Sequence, residues 1–199
     1  MNLSEMNIDL FRIINNLGKQ FTYINPTMTF VAEYMVFFLV LSVLIFWFTR
    51  SNTNRIMIIC ASITFVVAEI AGKIAGKLHS NNQPFAELSN VNKLIDHAVD
   101  NSFPSDHTIL FFSFCMTFYL FRRRWGFLWI LLASLVGLSR IWVGVHYPAD
   151  VIVGAAISIF TAIIVYRVVP KLSITKRMLG VYEKGGQLIL PIKTKSKEQ

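Results

Sequence analysis

Charged residues are scarce in this 199-residue chain, and cysteine is almost absent. Only 15% of the residues are charged, whereas a soluble domain of this length usually carries about a quarter. The two cysteines, Cys60 and Cys115, both lie inside apolar runs. That is typical of inert buried thiols, and two are too few for a disulfide framework or a cysteine-based zinc site. The net charge of +8 does not indicate nucleic-acid binding, because the basic residues cluster at the ends of apolar segments.

Apolar residues are what the chain has in abundance. They make up 54% of it, including 17 Phe and 4 Trp. They form five segments, at about residues 29–48, 56–78, 103–121, 125–142 and 148–169. The uncharged cores of these segments are shorter than the ~20 residues of a full span, so a soluble helical bundle is the alternative. Five such runs joined by short loops leave too little polar surface for water. We therefore predict an all-α, polytopic membrane bundle with about five transmembrane helices in a single domain.

The first 27 residues predict another kind of helix. Apolar residues recur on one helical face at Leu10, Ile13, Ile14, Leu17 and Phe21. Arg12 and Lys19 interrupt any signal-peptide core, so we expect no cleavage. We predict that residues 1–27 form an amphipathic helix in the membrane interface, and an ordinary packing helix is the equal alternative.

Lysine and arginine in the loops predict the orientation of the bundle. They gather in three regions: Arg50 with Arg55, Arg122 to Arg124, and the tail of residues 171–199. All three lie on one side if each segment of the 28–170 membrane core spans once, and that side is predicted to be cytoplasmic. The loop of residues 79–102 and the turn of residues 143–147 then face outward, with the amino terminus.

A histidine stands immediately before the last apolar segment. Pro148 favours the first turn of a helix, with Tyr147 extended before it. Asp150 then falls in that first turn, where the helix dipole favours its ionised form. Its carboxylate can reach back toward His146, which is how a histidine nucleophile or base is oriented.

A second histidine stands at the start of the third apolar segment. There Ser102 is interpreted as a helix N-cap, Pro104 as the first helical residue, and Ser105 to His107 as the first turn. Free backbone N–H groups at such a turn bind phosphate, and the Ser105 hydroxyl adds a donor. His107 would stand beside that phosphate, and Arg140 can bind it bidentately. The pattern predicts a phosphoryl-transfer site, and no clustered ligands for a metal are visible, so we expect no cofactor.

These residues resemble two signature motifs of a known family. Ser139-Arg140, His146 and Asp150 have the spacing S-R-x5-H-x3-D, and Pro104 to His107 form the second motif. Both resemble motifs of the type-2 phosphatidic-acid phosphatase superfamily, which includes the vanadium haloperoxidases. With Asp106 in it, the second motif resembles that of bacterial undecaprenyl-diphosphate phosphatases of the bacitracin-resistance type. The resemblance covers roughly residues 28 to 170.

The resemblance implies a role for each motif residue. His146 corresponds to the nucleophile that forms a phosphohistidine, and Asp150 to its orienting carboxylate. His107 corresponds to the general acid for the leaving group and later the base for water. Ser105 and Arg140 correspond to phosphate ligands that stabilise the equatorial oxygens.

The third motif of the family, a lysine six residues before Arg-Pro, does not fit this sequence. Gln83-Pro84 occupies the Arg-Pro place, Lys77 has five intervening residues instead of six, and Lys73 lies one helical turn earlier. Lys73, Lys77 and Gln83 are therefore candidate phosphate ligands. His79 and His97, in the loop between these positions and the second motif, are interpreted as surface or secondary residues.

The subfamily resemblance implies hydrolysis of undecaprenyl diphosphate to the monophosphate and orthophosphate, in support of cell-wall carrier recycling and bacitracin resistance. A polyprenyl diphosphate lipid and membrane lipids are the expected partners, with no nucleic acid. A phosphatase for phosphatidate or phosphatidylglycerol phosphate is an alternative within the enzyme class. A non-enzymatic membrane subunit that exports bacitracin is an alternative of another class, and it leaves the pairing of His146 with Asp150 unexplained.

Overall fold

The described part of the chain folds into α-helices, and the longest connection between them is residues 88–105. The computed structural model describes residues 2–49 and 51–173, and no strand forms within those ranges. The helices are α1 Leu3–Gln20, α2 Asn25–Phe48, α3 Asn52–Leu78, the single turn α4 Pro84–Glu87, α5 Asp106–Phe121, α6 Arg123–Trp142 and α7 Pro148–Val168. Proline stands in the first turn of α2, α4 and α7, where its missing N–H costs no hydrogen bond. The predicted all-α fold is confirmed.

Four of these helices are long and apolar enough to cross a membrane. They are Thr22–Phe48, which continues α2 backward, then α3, α6, and Pro148–Lys171, which continues α7. With 16 residues, α5 extends only about 24 Å and is the shortest of the five predicted segments. The chain is a multi-pass membrane protein, as predicted.

The short helix α5 lies at the centre of the bundle. It packs against α3, α6 and α7, and its side chains Phe111, Cys115 and Phe118 are almost completely buried. Its neighbours instead carry large apolar side chains on their outer faces, such as Phe37 on α2 and Phe160 on α7. Apolar residues on the outside and in the core together are what a membrane-embedded bundle requires.

The two hairpins with basic residues meet at one end of the bundle. Arg122, after α5, donates a hydrogen bond to Asn54 at the start of α3, and its guanidinium lies 5.3 Å from the ring centre of Phe46. The predicted orientation also depends on Arg50 and on the tail. Arg50 and residues 174–199 lie outside the described residues. The opposite end carries both histidine motifs.

Helix α1 packs over that opposite end. Its buried face carries Phe11, Asn15 and Gly18, and Asn15 donates hydrogen bonds to the carbonyls of Asn92 and Trp142, at 3.0 and 2.8 Å. A second stripe of α1, with Leu3, Met6, Leu10 and Ile13, remains exposed. The helix therefore packs on the protein and keeps an apolar stripe free, and its predicted place in the membrane interface stays a prediction.

Candidate active site

The turn between α6 and α7 is folded around the carbonyl group of Arg140. This oxygen accepts hydrogen bonds from the backbone N–H groups of Val145 at 3.1 Å and His146 at 3.3 Å. Gly144, immediately before Val145, has a φ of +89°, and a Cβ atom there would lie 2.9 Å from the carbonyl oxygen of Asn92. Only glycine fits such a left-handed, crowded position without strain. The turn thereby fixes His146 relative to Arg140.

The ring of His146 is held by Ser102. His146 is only 6% exposed, and its Nδ1 atom lies 3.0 Å from the carbonyl oxygen of Ser102. A carbonyl oxygen can only accept, so Nδ1 carries the proton and Nε2 keeps the lone pair. This is the tautomer that a histidine nucleophile needs at Nε2.

Asp150 acts on this arrangement mainly through Ser102. Its Oδ2 atom accepts a 2.5 Å hydrogen bond from the Ser102 hydroxyl and a 2.8 Å bond from the N–H of Tyr147. The distance from Oδ2 to Nδ1 of His146 is 3.6 Å, which suits an ion pair and exceeds a hydrogen bond. The carboxylate therefore reaches back toward His146 as expected, with the Ser102 hydroxyl between them.

Burial controls the protonation of both residues in this turn. It lowers the pKa of His146, a direction that the positive charge of Arg140 reinforces and the nearby Asp150 opposes. Burial also raises the pKa of Tyr147, together with the carboxylate of Glu87, to which its hydroxyl donates at 3.2 Å. Neutral imidazole is thus the favoured form of His146.

The start of α5 differs from the interpretation of the sequence. The N-cap is Ser105, whose hydroxyl accepts from the N–H of Thr108 at 3.4 Å, and the helix begins at Asp106. The assignment of Ser102 as N-cap, with Pro104 as first helical residue, was wrong because Ser102 is engaged by His146 and Asp150. Ser105 also accepts from the Thr108 hydroxyl at 3.0 Å, so its own proton is free for another acceptor. Its N–H donates to the carbonyl of Asp150 at 3.2 Å, which joins the two motifs.

Arg140 is buried at the end of α6 with part of its guanidinium unused. It is 2% exposed, and one Nη donates to the carbonyl of Ala32 on α2 at 3.1 Å. Its Nε has no hydrogen-bond partner within the described residues. A buried N–H without a partner is destabilising, so a hydrogen bond from this Nε–H to an anionic oxygen would be favourable.

His107 belongs to the same group of side chains. It stands in the first turn of α5, partly buried, where the charges of Arg140, His146 and His97 all act on it. The structure therefore brings together Ser105, His107, Arg140, His146 and Asp150. Within residues 2–49 and 51–173 there is no group of three or more His, Cys, Asp or Glu side chains that could hold a metal ion.

The other three candidate ligands have contacts of their own. Lys73 is exposed on α3 and pairs with Glu69 at 3.6 Å, and Lys77 is exposed near the end of that helix. Gln83 is fully buried. Its amide donates to the Asp100 carboxylate and accepts from the Asp100 N–H at 3.0 Å, so it joins the two ends of the outer loop.

The sequence interpretation missed two residues beside His146. Ser102 precedes the second motif and could be recognised only once its distance from His146 was known. His97 was interpreted as a surface or secondary residue and not as part of the site, and its ring centre lies 6.4 Å from that of His146, at an interplanar angle of 76°. Neither has a signal in local spacing, because both contacts depend on how the outer loop folds back.

The sequence is similar to that of known proteins. Residues 78–174 match the PAP2 superfamily. Over all 199 residues the chain is 56% identical to the "Bacitracin transport permease protein BcrC" of Bacillus licheniformis, of which it covers 98%. It is 30% identical to the "Undecaprenyl-diphosphatase BcrC" of Bacillus subtilis (strain 168) over 81% of this chain and 83% of that protein.

A solved structure shares the fold. The crystal structure of Aquifex aeolicus LpxE superimposes with a TM-score of 0.61 at 27% identity, over 81% of this chain and 95% of that one.

Proposed function

The chain belongs to the PAP2 superfamily, and on that premise we propose that it is a membrane phosphatase that hydrolyses undecaprenyl diphosphate to undecaprenyl phosphate and orthophosphate. The observation that carries the proposal is the state of His146. Its Nδ1–H is bound to a backbone carbonyl, so the Nε2 lone pair is directed away from that anchor, next to a buried arginine with an unused N–H.

In the first step, Nε2 of His146 attacks the terminal phosphorus of the lipid diphosphate. The P–N bond forms as the bridging P–O bond breaks, and His107 donates a proton to the departing lipid monophosphate. The product is a phosphohistidine, the intermediate that is general to this superfamily. The imidazolium character that develops at His146 is stabilised by Asp150 at 3.6 Å.

In the second step, water attacks the phosphohistidine. His107, now neutral, takes a proton from the water, and the P–N bond breaks to release orthophosphate and the neutral ring of His146. Arg140, the Ser105 hydroxyl and the N–H groups at the start of α5 stabilise the equatorial oxygens in both steps. The remaining candidate ligands are Lys73, Lys77 and Gln83. Gln83 also has a structural role, because its hydrogen bonds with Asp100 join the two ends of the outer loop.

The names of the two relatives suggest different functions for this chain. One is named a bacitracin transport permease and the other an undecaprenyl-diphosphatase. A transport subunit would have no use for a buried histidine whose tautomer is fixed beside an arginine with an unused Nε–H, whereas a phosphatase requires both. The geometry therefore favours the enzyme, and bacitracin resistance would follow from removal of the lipid diphosphate.

Orientation is part of the proposal. The hairpins near Arg55 and Arg122 lie at one end of the bundle and the histidines at the other. If the basic end is cytoplasmic, the substrate is drawn from the outer leaflet of the cell membrane, where a recycled carrier lipid would be dephosphorylated.

A phosphate-release assay on purified protein tests the proposal. The substrates are undecaprenyl diphosphate, undecaprenyl phosphate, phosphatidate and phosphatidylglycerol phosphate in the same detergent, with the His146→Ala variant as the matched control. We expect the diphosphate to give the highest kcat/KM and the variant to release no phosphate. Preference for a glycerophospholipid would favour the alternative phosphatase, and absence of release from every lipid would favour the transport subunit.

A further inference from the structure

The phosphate site has positive charge on its outer side that the two motifs do not account for. His97, in the loop before α5, has its ring between two others, with centres 6.4 Å from His146 and 6.4 Å from Phe85. It is partly exposed, whereas His146 is buried. The ring of His97 therefore lies next to that of the proposed nucleophile and is the more exposed of the two.

The loop segment that carries His97 is anchored to the turn of His146. The N–H of Leu94 donates to the carbonyl of Val143 at 3.2 Å. Ile95, 7% exposed, packs in an apolar cluster with Val143 and Val145. The position of His97 next to His146 is consequently set by packing and a backbone hydrogen bond, as a binding residue requires.

One nitrogen of His97 is already engaged. Its Nδ1 lies 2.8 Å from the carbonyl oxygen of Ala98, which can only accept, so Nδ1 carries a proton and Nε2 remains for another partner. With a proton on Nε2 as well, the ring would donate there to a phosphate oxygen. Lys93 adds a second cation, since its Nζ lies 4.1 Å above the ring of Phe85 and 3.4 Å from the carbonyl oxygen of His97.

We propose that His97 is a further phosphate-binding residue of this site, supplied by the outer loop in place of the arginine that Gln83 replaces in the third motif. Lys93 adds positive charge beside it. The proposal rests on the proposed phosphatase function. It explains why the site tolerates Gln83 at the Arg-Pro place, because Gln83 is buried and paired with Asp100 while the loop that it closes brings a cation to His146.

The test compares His97→Gln with His97→Lys and, as matched control, His79→Gln. His79 belongs to the same outer connection but lies against Phe103, with ring centres 4.9 Å apart. Phosphate release from undecaprenyl diphosphate gives kcat and KM, and inhibition by inorganic orthovanadate reports phosphate binding. For His97→Gln we expect kcat/KM to fall and the inhibitory vanadate concentration to rise by about tenfold or more, the effect of one charge-assisted hydrogen bond. His97→Lys should recover part of both losses, and His79→Gln should match the unaltered protein.

Equal kcat/KM and equal vanadate inhibition in His97→Gln and His79→Gln would overturn the proposal. If the unaltered protein released no phosphate from any lipid, the proposed function would fail, and the thermal shift caused by orthovanadate would still decide the role of His97. A shift lost in His97→Gln and restored in His97→Lys supports phosphate binding by this residue. A shift that persists in His97→Gln rejects it.

Discussion

At the residue scale, the Oδ2 atom of Asp150 is shared by several groups. It accepts from the Ser102 hydroxyl and the Tyr147 N–H, and lies 3.6 Å from Nδ1 of His146. Ser102 contributes twice to the orientation of His146, once through its carbonyl and once through its hydroxyl. A substitution of the side chain therefore removes one contribution and leaves the other.

We predict that Ser102→Ala reduces kcat without abolishing it and moves the acid limb of the pH profile upward. Catalysis needs neutral His146, and burial lowers the pKa of His146 while Asp150 raises it. Loss of the hydroxyl leaves the Asp150 charge less neutralised, so the pKa of His146 should rise and activity should be lost at a higher pH. The measurement is kcat/KM of phosphate release against pH.

The Asp150→Asn variant provides the opposite shift. Without the carboxylate charge the pKa of His146 should fall further, and the acid limb should move to lower pH. Ser102→Thr, which keeps the hydroxyl, should retain the profile of the unaltered protein. If the acid limb lay at the same pH in all three variants and in the unaltered protein, the pKa of His146 would not depend on Ser102.

We also predict that His146→Ala abolishes turnover and leaves a folded protein, whereas Asp150→Asn is impaired less severely. The first change removes the attacking nitrogen, and the second only misorients it, since the Ser102 carbonyl still binds Nδ1. Phosphate release and size-exclusion profiles in detergent measure the two effects. More than a few per cent of activity in His146→Ala would exclude covalent catalysis by this residue.

The approach of Asp150 to His146 could be predicted from the sequence, because Pro148 places Asp150 in the first turn of α7. The roles of the motif residues stay predictions. Ser102 was misassigned because a serine two residues before a proline has the composition of an N-cap. Its distance from His146 depends on long-range packing, which no local pattern records.

At the scale of the elements, helix α3 approaches the second motif through two glycines. A Cβ atom at Gly76 would lie 2.6 Å from the carbonyl oxygen of Phe103, whereas one at Gly72 would lie 2.5 Å from the Cδ1 end of Ile109. Asn101 strengthens the contact, since its amide donates at 3.0 Å to the carbonyls of both Gly76 and Phe103. The small residues recur every four positions, which permits close approach of the helix.

We predict that Gly76→Ala is more damaging than Gly72→Ala. A methyl group at Gly76 meets backbone, which can move only by displacing the segment that carries Ser102, and such overpacking costs about 1–3 kcal/mol. At Gly72 it meets the tip of a side chain that can change rotamer. Thermal unfolding in detergent and phosphate release should both rank the variants in this order, and equal or reversed losses would contradict the close contact.

The bounds of the long helices could be predicted from apolar runs and Pro148. The start of α5 could not be predicted in this way, because the apolar Phe103 lies before the helix. There the Asn101 side chain donates hydrogen bonds to the carbonyl groups of Gly76 and Phe103. The second, buried face of α1 was also missed. This face consists of Phe11, Asn15 and Gly18. The polar Asn15 can be buried because its amide donates hydrogen bonds to two carbonyl groups. Hydrophobic periodicity does not reveal such hydrogen bonds.

At the scale of the whole molecule, the two ends of the bundle should lie on opposite sides of the membrane. In a background of Cys60→Ala and Cys115→Ala, Val99→Cys lies in the outer loop and Trp125→Cys next to the arginines, and both native side chains are well exposed. We predict that an impermeant maleimide labels the first in intact cells and the second only after the cells are opened.

The unaltered protein is the control for this labelling. Its two cysteines are completely buried, so it should react little in either condition. Reversed labelling would place His146 at the cytoplasmic side. A role in carrier recycling on the outer leaflet would then be untenable, and a phosphatase of the inner leaflet would replace it.

The shared Oδ2 atom of Asp150 has an evolutionary consequence. One oxygen both satisfies the first N–H before α7 and supports the reactive ring, so selection cannot adjust these two traits separately. A descendant lineage that abandoned the chemistry while keeping the fold would still need an acceptor for the N–H of Tyr147. We expect such inactive descendants to lose His146 freely but to retain Asp, Asn or Ser at position 150.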